Sequence, residues 1–308
     1  MTPLRTIRTE LRDTVLIARI DNPPTDLMDR EVMADLGRLG RALSADRSVR
    51  AVVVTGPRPG VFVPHYLIDE ILAGTERLDT PTPYGIARGG LAAVGALARF
   101  PGGRRLVAAS PAAGLLEVLD THAALTRLGR LPQVVIAAVD GDAQGGGCEL
   151  ALACDIRVMS DGDYLIGLPE LSIGIPPGAG GTQRLMAAVG PARARALVLS
   201  AQTVPPAEAL RIGLVDVVVP GDRTLAVALE IAETAAAWNP AAVAAAKRAL
   251  QPPGLAAGLR REAGGFVASV SGRDAMAMLR DFTSASDNEQ GRTPWRDRTI
   301  LPRAFSRR

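Results

Sequence analysis

The sequence is poor in cysteine, in aromatic residues and in long apolar runs. Its 308 residues include two cysteines, 3% aromatic residues and one lysine, Lys247. Cys148 and Cys154 share an apolar segment with no histidine or further cysteine nearby, which argues against a disulfide framework and a cysteine metal site. No run approaches the roughly 18 apolar residues that cross a membrane, and the first residues show no signal-peptide pattern. We therefore expect a cytoplasmic protein with no membrane partner.

Charge gives little indication of a partner. The formal net charge is +3, which suits ordinary surface charge and does not by itself indicate a nucleic-acid-binding protein. Hydrophobic residues make up 47% of the chain, enough for a substantial core built from Ala, Val, Leu and Ile. We expect no nucleic-acid partner.

Apolar patterning predicts an α/β core. A helix is predicted at residues 29–43, where apolar residues recur at helical spacing. A second helix is predicted from about Cys148, and strand, glycine-rich turn and helix recur between residues 155 and 190. Buried strands are predicted at residues 14–20, 51–55, 134–139 and 215–219.

Two regions depart from this pattern. Residues 72–114, called the insertion below, are rich in Gly, Ala and Pro and show weak periodicity, so we expect a functional or flexible loop. We expect residues 1–220 to form a core that includes the insertion. Residues 221–308 are predicted to form a C-terminal helical oligomerisation region, ending in an arginine-rich tail from Gly291.

The most specific signal lies in two neighbouring segments. Ala143 to Asp155 has the sequence AQGGGCELALACD, in which Glu149 sits inside an apolar run, and a second segment has the sequence LPELSIGIPPGAGGTQRL. Charged side chains are rarely buried without a partner or a task. Taken singly, Glu149 could serve only the dipole of a helix N-terminus, and Glu170 could be a surface turn residue. The glycines could be purely conformational, with Thr182 capping a helix.

Together, the segments GGGCELALACD and LPELSIGIPPGAGGTQRL resemble the crotonase (enoyl-CoA hydratase/isomerase) superfamily. The resemblance covers most of the chain apart from the insertion and the extreme tail. It implies the ClpP/crotonase-like α/β fold, a spiral of β-β-α units with a C-terminal helical region. It also implies an acyl-CoA thioester substrate, no metal or redox cofactor beyond the coenzyme A of that substrate, and a homo-oligomer, either trimer or hexamer.

The resemblance also implies roles for individual residues. Glu149 and Glu170 match the two glutamates that handle the water and the proton at the α-carbon. Gly146 matches one main-chain donor of the oxyanion hole, and Gly178 matches a position that holds the water. Substrate-binding positions are expected at Val63, Tyr66 and Gly145.

One loop departs from the family pattern F-x-A-G-A-D. This chain has Phe62 followed by VPHYL, so that His65 replaces the glycine and Leu67 the aspartate. We expect Pro64 at the second donor position of the oxyanion hole, where proline has no N–H. His65 could supply a substitute N–H or act as an acid or base, or it could simply be a histidine packed in a loop.

The expected function is hydration of a 2-enoyl-CoA. Both glutamates favour hydration, whereas an incomplete oxyanion hole weakens it. Isomerisation of the double bond, or another enolate reaction of an acyl-CoA, is the alternative within the same class of enzyme. A non-catalytic acyl-CoA binder is the alternative from another class, and Pro64 is the feature that favours it.

Overall fold

The computed structural model describes residues 3–75 and 81–286. In the described residues, the strands are β1 (Ile7–Arg12), β2 (Val15–Ile20), β3 (Ala51–Thr55), β4 (Val134–Val139), β5 (Ala143–Gln144), β6 (Ile156–Ser160), β7 (Ile166–Gly167), β8 (Thr203–Val204) and β9 (Val217–Val219). The α-helices are α1 (Arg30–Ala45), α2 (Ile68–Thr75), α3 (Tyr84–Leu97), α4 (Gly103–Ala108), α5 (Ala113–Gly129), α6 (Gly146–Ala153), α7 (Gly181–Val189), α8 (Pro191–Leu199), α9 (Pro206–Ile212), α10 (Thr224–Ala236), α11 (Pro240–Ala249), α12 (Leu255–Val270) and α13 (Arg273–Ser286).

Two sheets organise the chain. The larger has the order β1-β2-β3-β4-β6-β9, with β1 antiparallel to β2 and every other pairing parallel. The smaller sheet has the order β5-β7-β8 and contains the residues just before the glycine turn. Alternation of strands and helices around a parallel sheet confirms the predicted α/β class, and the predicted helix at 29–43 is confirmed as α1.

Helices cover both faces of the central sheet, which explains the uninterrupted apolar strands. On one face Val52 and Val135 pack with residues of α1, α5 and α6. On the other face Val53 and Ile136 pack against Ala228 of α10. Neighbouring residues of one strand therefore serve two different cores, as the period of two requires. In contrast, β1 was not predicted, because its polar residues are exposed at the sheet edge.

The insertion is helical, which corrects the expectation of a loop. It contains α3 and α4 and ends where α5 begins, while residues 76–80 lie outside the described part. Ala87 and Leu91, one helical turn apart, pack with Ala263 and Val267 of α12. The buried stripe consists of few and small side chains, so its period is faint in the sequence.

The C-terminal segment folds back on the same chain. Helix α10 covers the central sheet, α12 packs on α3 and α7, and α13 packs on α2. The arginine-rich tail from Gly291 lies outside the described residues. Among the helices of residues 3–75 and 81–286, none is both long and apolar enough to cross a membrane.

Candidate active site

The glycine turn brings the start of α6 close to the loop that follows β3. The chain turns at Gly145, whose φ of 51° favours glycine, and α6 begins at Gly146, two residues before the predicted start. A Cβ at Gly147 would overlap the carbonyl oxygen of Val63. The third glycine therefore permits a main-chain approach that any side chain would block.

Glu149 lies in the first turn of α6 and is buried, with 3% of its surface exposed. Its Oε1 accepts hydrogen bonds from the N–H of Ala179 over 2.7 Å and from the N–H of Gly181 over 2.8 Å. Two donors to one oxygen stabilise the ionised carboxylate. They belong to the glycine-rich segment at the start of α7, which explains why the two sequence motifs occur together.

Glu170 is also buried but is bonded differently. It opens the short 3-10 turn Glu170–Ile173 after Pro169, and 7% of its surface is exposed. Among the described residues, its Oε2 is buried and has no hydrogen-bond partner. An unpaired buried carboxylate oxygen is costly when charged, so this side chain favours its protonated form.

The two carboxyl groups influence each other. Burial raises the pKa of Glu149, and the N–H groups of Ala179 and Gly181 and the charge of Arg184 oppose that effect. Burial, followed by the charge of Glu149, raises the pKa of Glu170 well above its usual range. The pair titrates as a unit. The two N–H donors to Glu149, which the buried Oε2 of Glu170 lacks among the described residues, make Glu170 the group that favours the proton.

Both glutamates line a cavity of about 410 Å³. Apolar side chains from α2, α5, α12 and the loop before α7 form much of its wall: Ile68, Ile71, Leu115, Val118, Ile175, Phe266, Val267 and Val270. The insertion contributes Gly74, Ser110, Pro111, Ala113 and Gly114. The site thus combines a few convergent polar groups with an apolar wall, as small-molecule sites commonly do.

The loop between β3 and α2 runs between Met28 and β5. The N–H of Met28 donates to the carbonyl of His65 over 2.9 Å, and the N–H of Leu67 donates to the carbonyl of Met28 over 2.7 Å. On the opposite side, the N–H of Gln144 donates to the carbonyl of Pro64 over 2.8 Å. Successive residues of an extended chain direct their main-chain groups to alternate sides.

This alternation directs the N–H of Tyr66 toward the start of α6. Tyr66 N lies 3.4 Å from the position that a Cβ on Gly146 would occupy, and both residues line the cavity. Within the described residues neither of these two N–H groups has an acceptor. The sequence analysis predicted that the second donor position of the oxyanion hole is Pro64, with the N–H of His65 as a possible replacement. The structure corrects this, because the main chain of Pro64 bonds β5 and that of His65 faces Met28.

The other expected binding residues divide into two groups. Tyr66 and Gly145 line the cavity, as does Gly178, whose Cα lies against the ring of Phe266. Val63 is fully buried in the core and does not line the cavity.

His65 also lies outside the cavity lining. Its Nδ1 is 2.8 Å from the carbonyl of Tyr66, and its ring meets Phe282 edge-on, with centroids 6.2 Å apart. Burial lowers the pKa of His65, which favours the neutral ring. These contacts fit a histidine packed in a loop rather than an acid or base of the site.

Three buried residues near the carboxylates were missed by the sequence analysis. Glu262 of α12, Arg184 of α7 and His122 of α5 are each at most 8% exposed. Arg184 Nη1 donates to the carbonyl of Ala179 over 2.8 Å. Arg184 lies within the segment LPELSIGIPPGAGGTQRL, but the motif gave it no role. No local motif signals Glu262 or His122, because they reach the site from separate helices.

The fold and this site define an α/β protein in which one cavity holds two buried carboxyl groups and two main-chain donors that lack an acceptor in residues 3–75 and 81–286. The family described as enoyl-CoA hydratase/isomerase matches residues 116–266 of the chain. Solved structures agree across nearly the whole length. A provisionally assigned enoyl-CoA hydratase from Streptomyces avermitilis is 29% identical, with a TM-score of 0.74, covering 95% of this chain and 94% of that one.

Two relatives resemble the central part of the chain. The 2,3-dehydroadipyl-CoA hydratase of Escherichia coli is 46% identical over 147 residues, which are 46% of this chain and 57% of that protein. The enoyl-CoA isomerase/hydratase fer4 of Mycosarcoma maydis is 41% identical over 139 residues, which are 45% of this chain and 51% of that protein. The chain thus spans about half the length of the relatives that it matches. It belongs to the crotonase superfamily.

Proposed function

We propose that the protein is an enoyl-CoA hydratase that reversibly adds water across the double bond of a 2-enoyl-CoA thioester. The observation that carries the proposal is a cavity on which two differently bonded carboxyl groups converge with two main-chain N–H groups that no acceptor occupies in the described part of the chain. Hydration needs a base for the water, an acid for the α-carbon and donors for the thioester oxygen. The similarity to proteins named as hydratases supports the same reaction.

The donors stabilise the charge that develops during the addition. As the water oxygen bonds to the β-carbon, the electron pair of the double bond moves toward the thioester and its oxygen becomes an enolate. Gly146 N–H and Tyr66 N–H receive that oxygen, and the positive end of α6 adds to their effect. Because Tyr66 replaces Pro64 as the second donor, the main reason for a non-catalytic binder disappears.

The environments of the glutamates divide the proton transfers between them. Glu149, held by two N–H groups, acts as the base and takes the proton from the attacking water. Glu170, which favours its protonated form, gives its proton to the α-carbon. Two carboxyl groups whose environments separate their pKa values are a common arrangement for paired acid and base chemistry. Gly178 lines the same cavity, and its N–H is expected to hold the water.

Double-bond isomerisation is the second candidate, because the family name covers both activities. Isomerisation moves one proton between two carbons and needs no activated water, so one carboxyl group suffices. The bonded Glu149 opposite the protonated Glu170 favours hydration. The apolar wall supports an uncharged acyl chain. A cytoplasmic homo-oligomer, trimer or hexamer, with no nucleic-acid or membrane partner and no cofactor beyond the substrate's coenzyme A remains a prediction.

The test is a turnover screen with purified protein. Hydration removes the conjugated double bond of crotonyl-CoA, so the absorbance of the enoyl thioester falls and 3-hydroxybutyryl-CoA accumulates. A 3-enoyl-CoA offered in parallel reports isomerisation. Turnover of the 3-enoyl ester without hydration of the 2-enoyl ester would replace the hydratase with the isomerase. Binding without either reaction would support a non-catalytic acyl-CoA binder.

A further inference from the structure

The segment that donates hydrogen bonds to Glu149 is itself bound by another buried carboxylate, Glu262. Glu262 of α12 accepts hydrogen bonds from the N–H of Gly180, and from both the N–H and the hydroxyl of Thr182; the Thr182 N–H bond is 2.9 Å long. The N–H groups on either side of Gly180 both donate to Glu149. Four consecutive N–H groups, from residues 179 to 182, therefore alternate between two carboxylates from different helices.

We propose that Glu262 is a positioning residue for hydration, because it fixes the two N–H groups that orient Glu149. The proposal rests on the proposed function and assigns a role to a residue outside the two sequence motifs. Glu262 does not line the cavity, so it acts through the segment and not on the substrate. Ala179 and Gly180 immediately precede α7, and Gly181 and Thr182 begin it. The first N–H groups of a helix have no helical acceptor and need partners from elsewhere.

A nearby cation balances the buried carboxylate of Glu262. Glu149 and Glu170 are acids nearby, and Arg184 is the cation whose charge interacts with both Glu149 and Glu262. His122 Nε2 lies 3.9 Å from Glu262 Oε1, but burial, followed by the charge of Arg184, lowers the pKa of His122 to about 4. His122 is therefore neutral near pH 7, and Arg184 is the balancing cation.

Glu262 also influences the pKa of Glu170, the proposed proton donor. The charge of Glu262 contributes to the raised pKa of Glu170. Burial, followed by the charge of Glu149, raises the pKa of Glu262 itself to about 7. Removing this carboxyl group lowers the pKa of Glu170, so the acid loses its proton at a lower pH.

The geometry also connects α12 with the segment that orients Glu149. Helix α12 packs on α3 of the insertion through Ala263 and Val267, next to Glu262 in the chain, and Glu262 itself bonds Gly180 and Thr182. The insertion therefore supports the segment that carries the donors to Glu149, through α12, as well as lining the cavity.

Glu262→Gln tests the role, because the amide keeps the size of the side chain but can accept from only one of the two donor groups. We expect kcat for crotonyl-CoA to fall roughly tenfold while KM stays within about twofold, since the base is misplaced and the binding wall is intact. The alkaline limb of the kcat profile should move to lower pH. Glu208→Gln, which removes a surface carboxylate of α9 paired with Arg211, should change none of these values.

Thr182→Val supplies a second variant if the first folds poorly. It removes only the hydroxyl donor and should lower kcat by a few-fold. Thr182→Ser retains that donor and should keep most of the wild-type kcat. In the double variant with Glu262→Gln, the two losses should not add, because both changes break the same contact.

Hydrogen exchange separates failure of the positioning role from failure of the proposed function, because it needs no turnover. Amides of residues 178–182 should exchange at least about tenfold faster in Glu262→Gln, with the β4 amides unchanged. Equal exchange in this segment, or a wild-type kcat profile in an active Glu262→Gln enzyme, overturns the positioning role. Faster exchange in Glu262→Gln, combined with a wild-type protein that does not hydrate crotonyl-CoA, overturns only the proposed hydratase function.

Discussion

The turn-and-helix segment, residues 143–185, and the insertion build two sides of one cavity in different ways. The first supplies main-chain N–H groups and carboxylates, and it needs glycine where backbone must approach backbone, as at Gly147 against Val63. The insertion lines the cavity with small residues, mostly between Ser110 and Gly114, and packs α3 on α12 through side chains that many others could replace. Chemistry that depends on main-chain approach therefore leaves a recognisable motif, whereas side-chain packing does not.

The largest effect should come from the carboxyl groups of the first region. Glu149→Gln and Glu170→Gln should each lower kcat roughly 10²–10⁴-fold, because each removes one proton transfer. KM for crotonyl-CoA should change little, since neither carboxyl group forms the apolar wall. Steady-state kinetics with both variants and Glu208→Gln as the control measure this. A full rate in either variant would end the two-carboxylate mechanism.

The second prediction concerns the main chain alone. Tyr66→Pro removes an N–H that has no acceptor among the described residues, and it should lower kcat roughly 10²–10³-fold, the usual cost of one oxyanion donor. Tyr66→Phe keeps the N–H and loses only the hydroxyl bond of 3.0 Å to Glu70, so it should retain most of the activity.

Pro64→Ala serves as the matched change two residues earlier. It restores an N–H on the side of the loop that faces β5 and should leave kcat unchanged. A marked gain in rate for Pro64→Ala would indicate that position 64, and not Tyr66, is the second donor position of the oxyanion hole. An unchanged rate for a folded Tyr66→Pro protein would show that the N–H of Tyr66 is not that donor.

In the insertion, the effect should be on substrate choice. Gly114 lines the cavity at the start of α5, and a Cβ there meets no atom within 4 Å. Gly114→Leu should therefore fill cavity space and lower kcat/KM for 2-decenoyl-CoA roughly tenfold relative to crotonyl-CoA. Gly89→Leu on α3, also with open space but outside the cavity lining, should leave the ratio unchanged. If Gly114→Leu leaves the ratio of kcat/KM values for the two substrates unchanged, this part of the insertion does not determine which acyl chain the site accepts.

The smallest effect should come from charge at the wall. Arg30 and Glu117 form an ion pair of 3.1 Å beside the cavity, so the guanidinium is engaged. Glu117→Gln frees it, and kcat/KM for 2,3-dehydroadipyl-CoA, whose acyl group ends in a carboxylate, should rise by up to about fivefold relative to 2-decenoyl-CoA. Asp120→Asn removes another arginine partner on α5, outside the cavity lining, and should not change that ratio. No rise in Glu117→Gln would mean that the acyl chain does not reach this wall.

The sequence predicted what depends on local chemistry. Gly146 and Glu149 share one turn, and Glu170 precedes the segment in which Ala179 and Gly181 donate N–H groups to Glu149, so both glutamates could be identified from motifs. Tyr66 could not be identified as the donor, because its orientation depends on the pairing of its loop with Met28. This pairing across nearly forty residues has no local sequence pattern.

The same limit applies to longer distances. Glu262 reaches the site from an alanine- and glycine-rich helix about eighty residues beyond Gly180, with no pattern of its own. The helices of the insertion were missed because the buried stripe of α3 comprises Ala87, Leu91 and Val94 among many glycines. Glycine lowers helix propensity, and tertiary packing on α12 compensates for it.

The most direct test of the account compares the wild type with Glu170→Gln on crotonyl-CoA, following the conjugated enoyl absorbance at saturating substrate. We predict rapid loss of absorbance with formation of 3-hydroxybutyryl-CoA for the wild type, and a rate lower by at least about 10²-fold for Glu170→Gln with similar KM. A wild-type protein that binds crotonyl-CoA and leaves it unchanged, or a Glu170→Gln variant that hydrates it at the wild-type rate, would contradict the account.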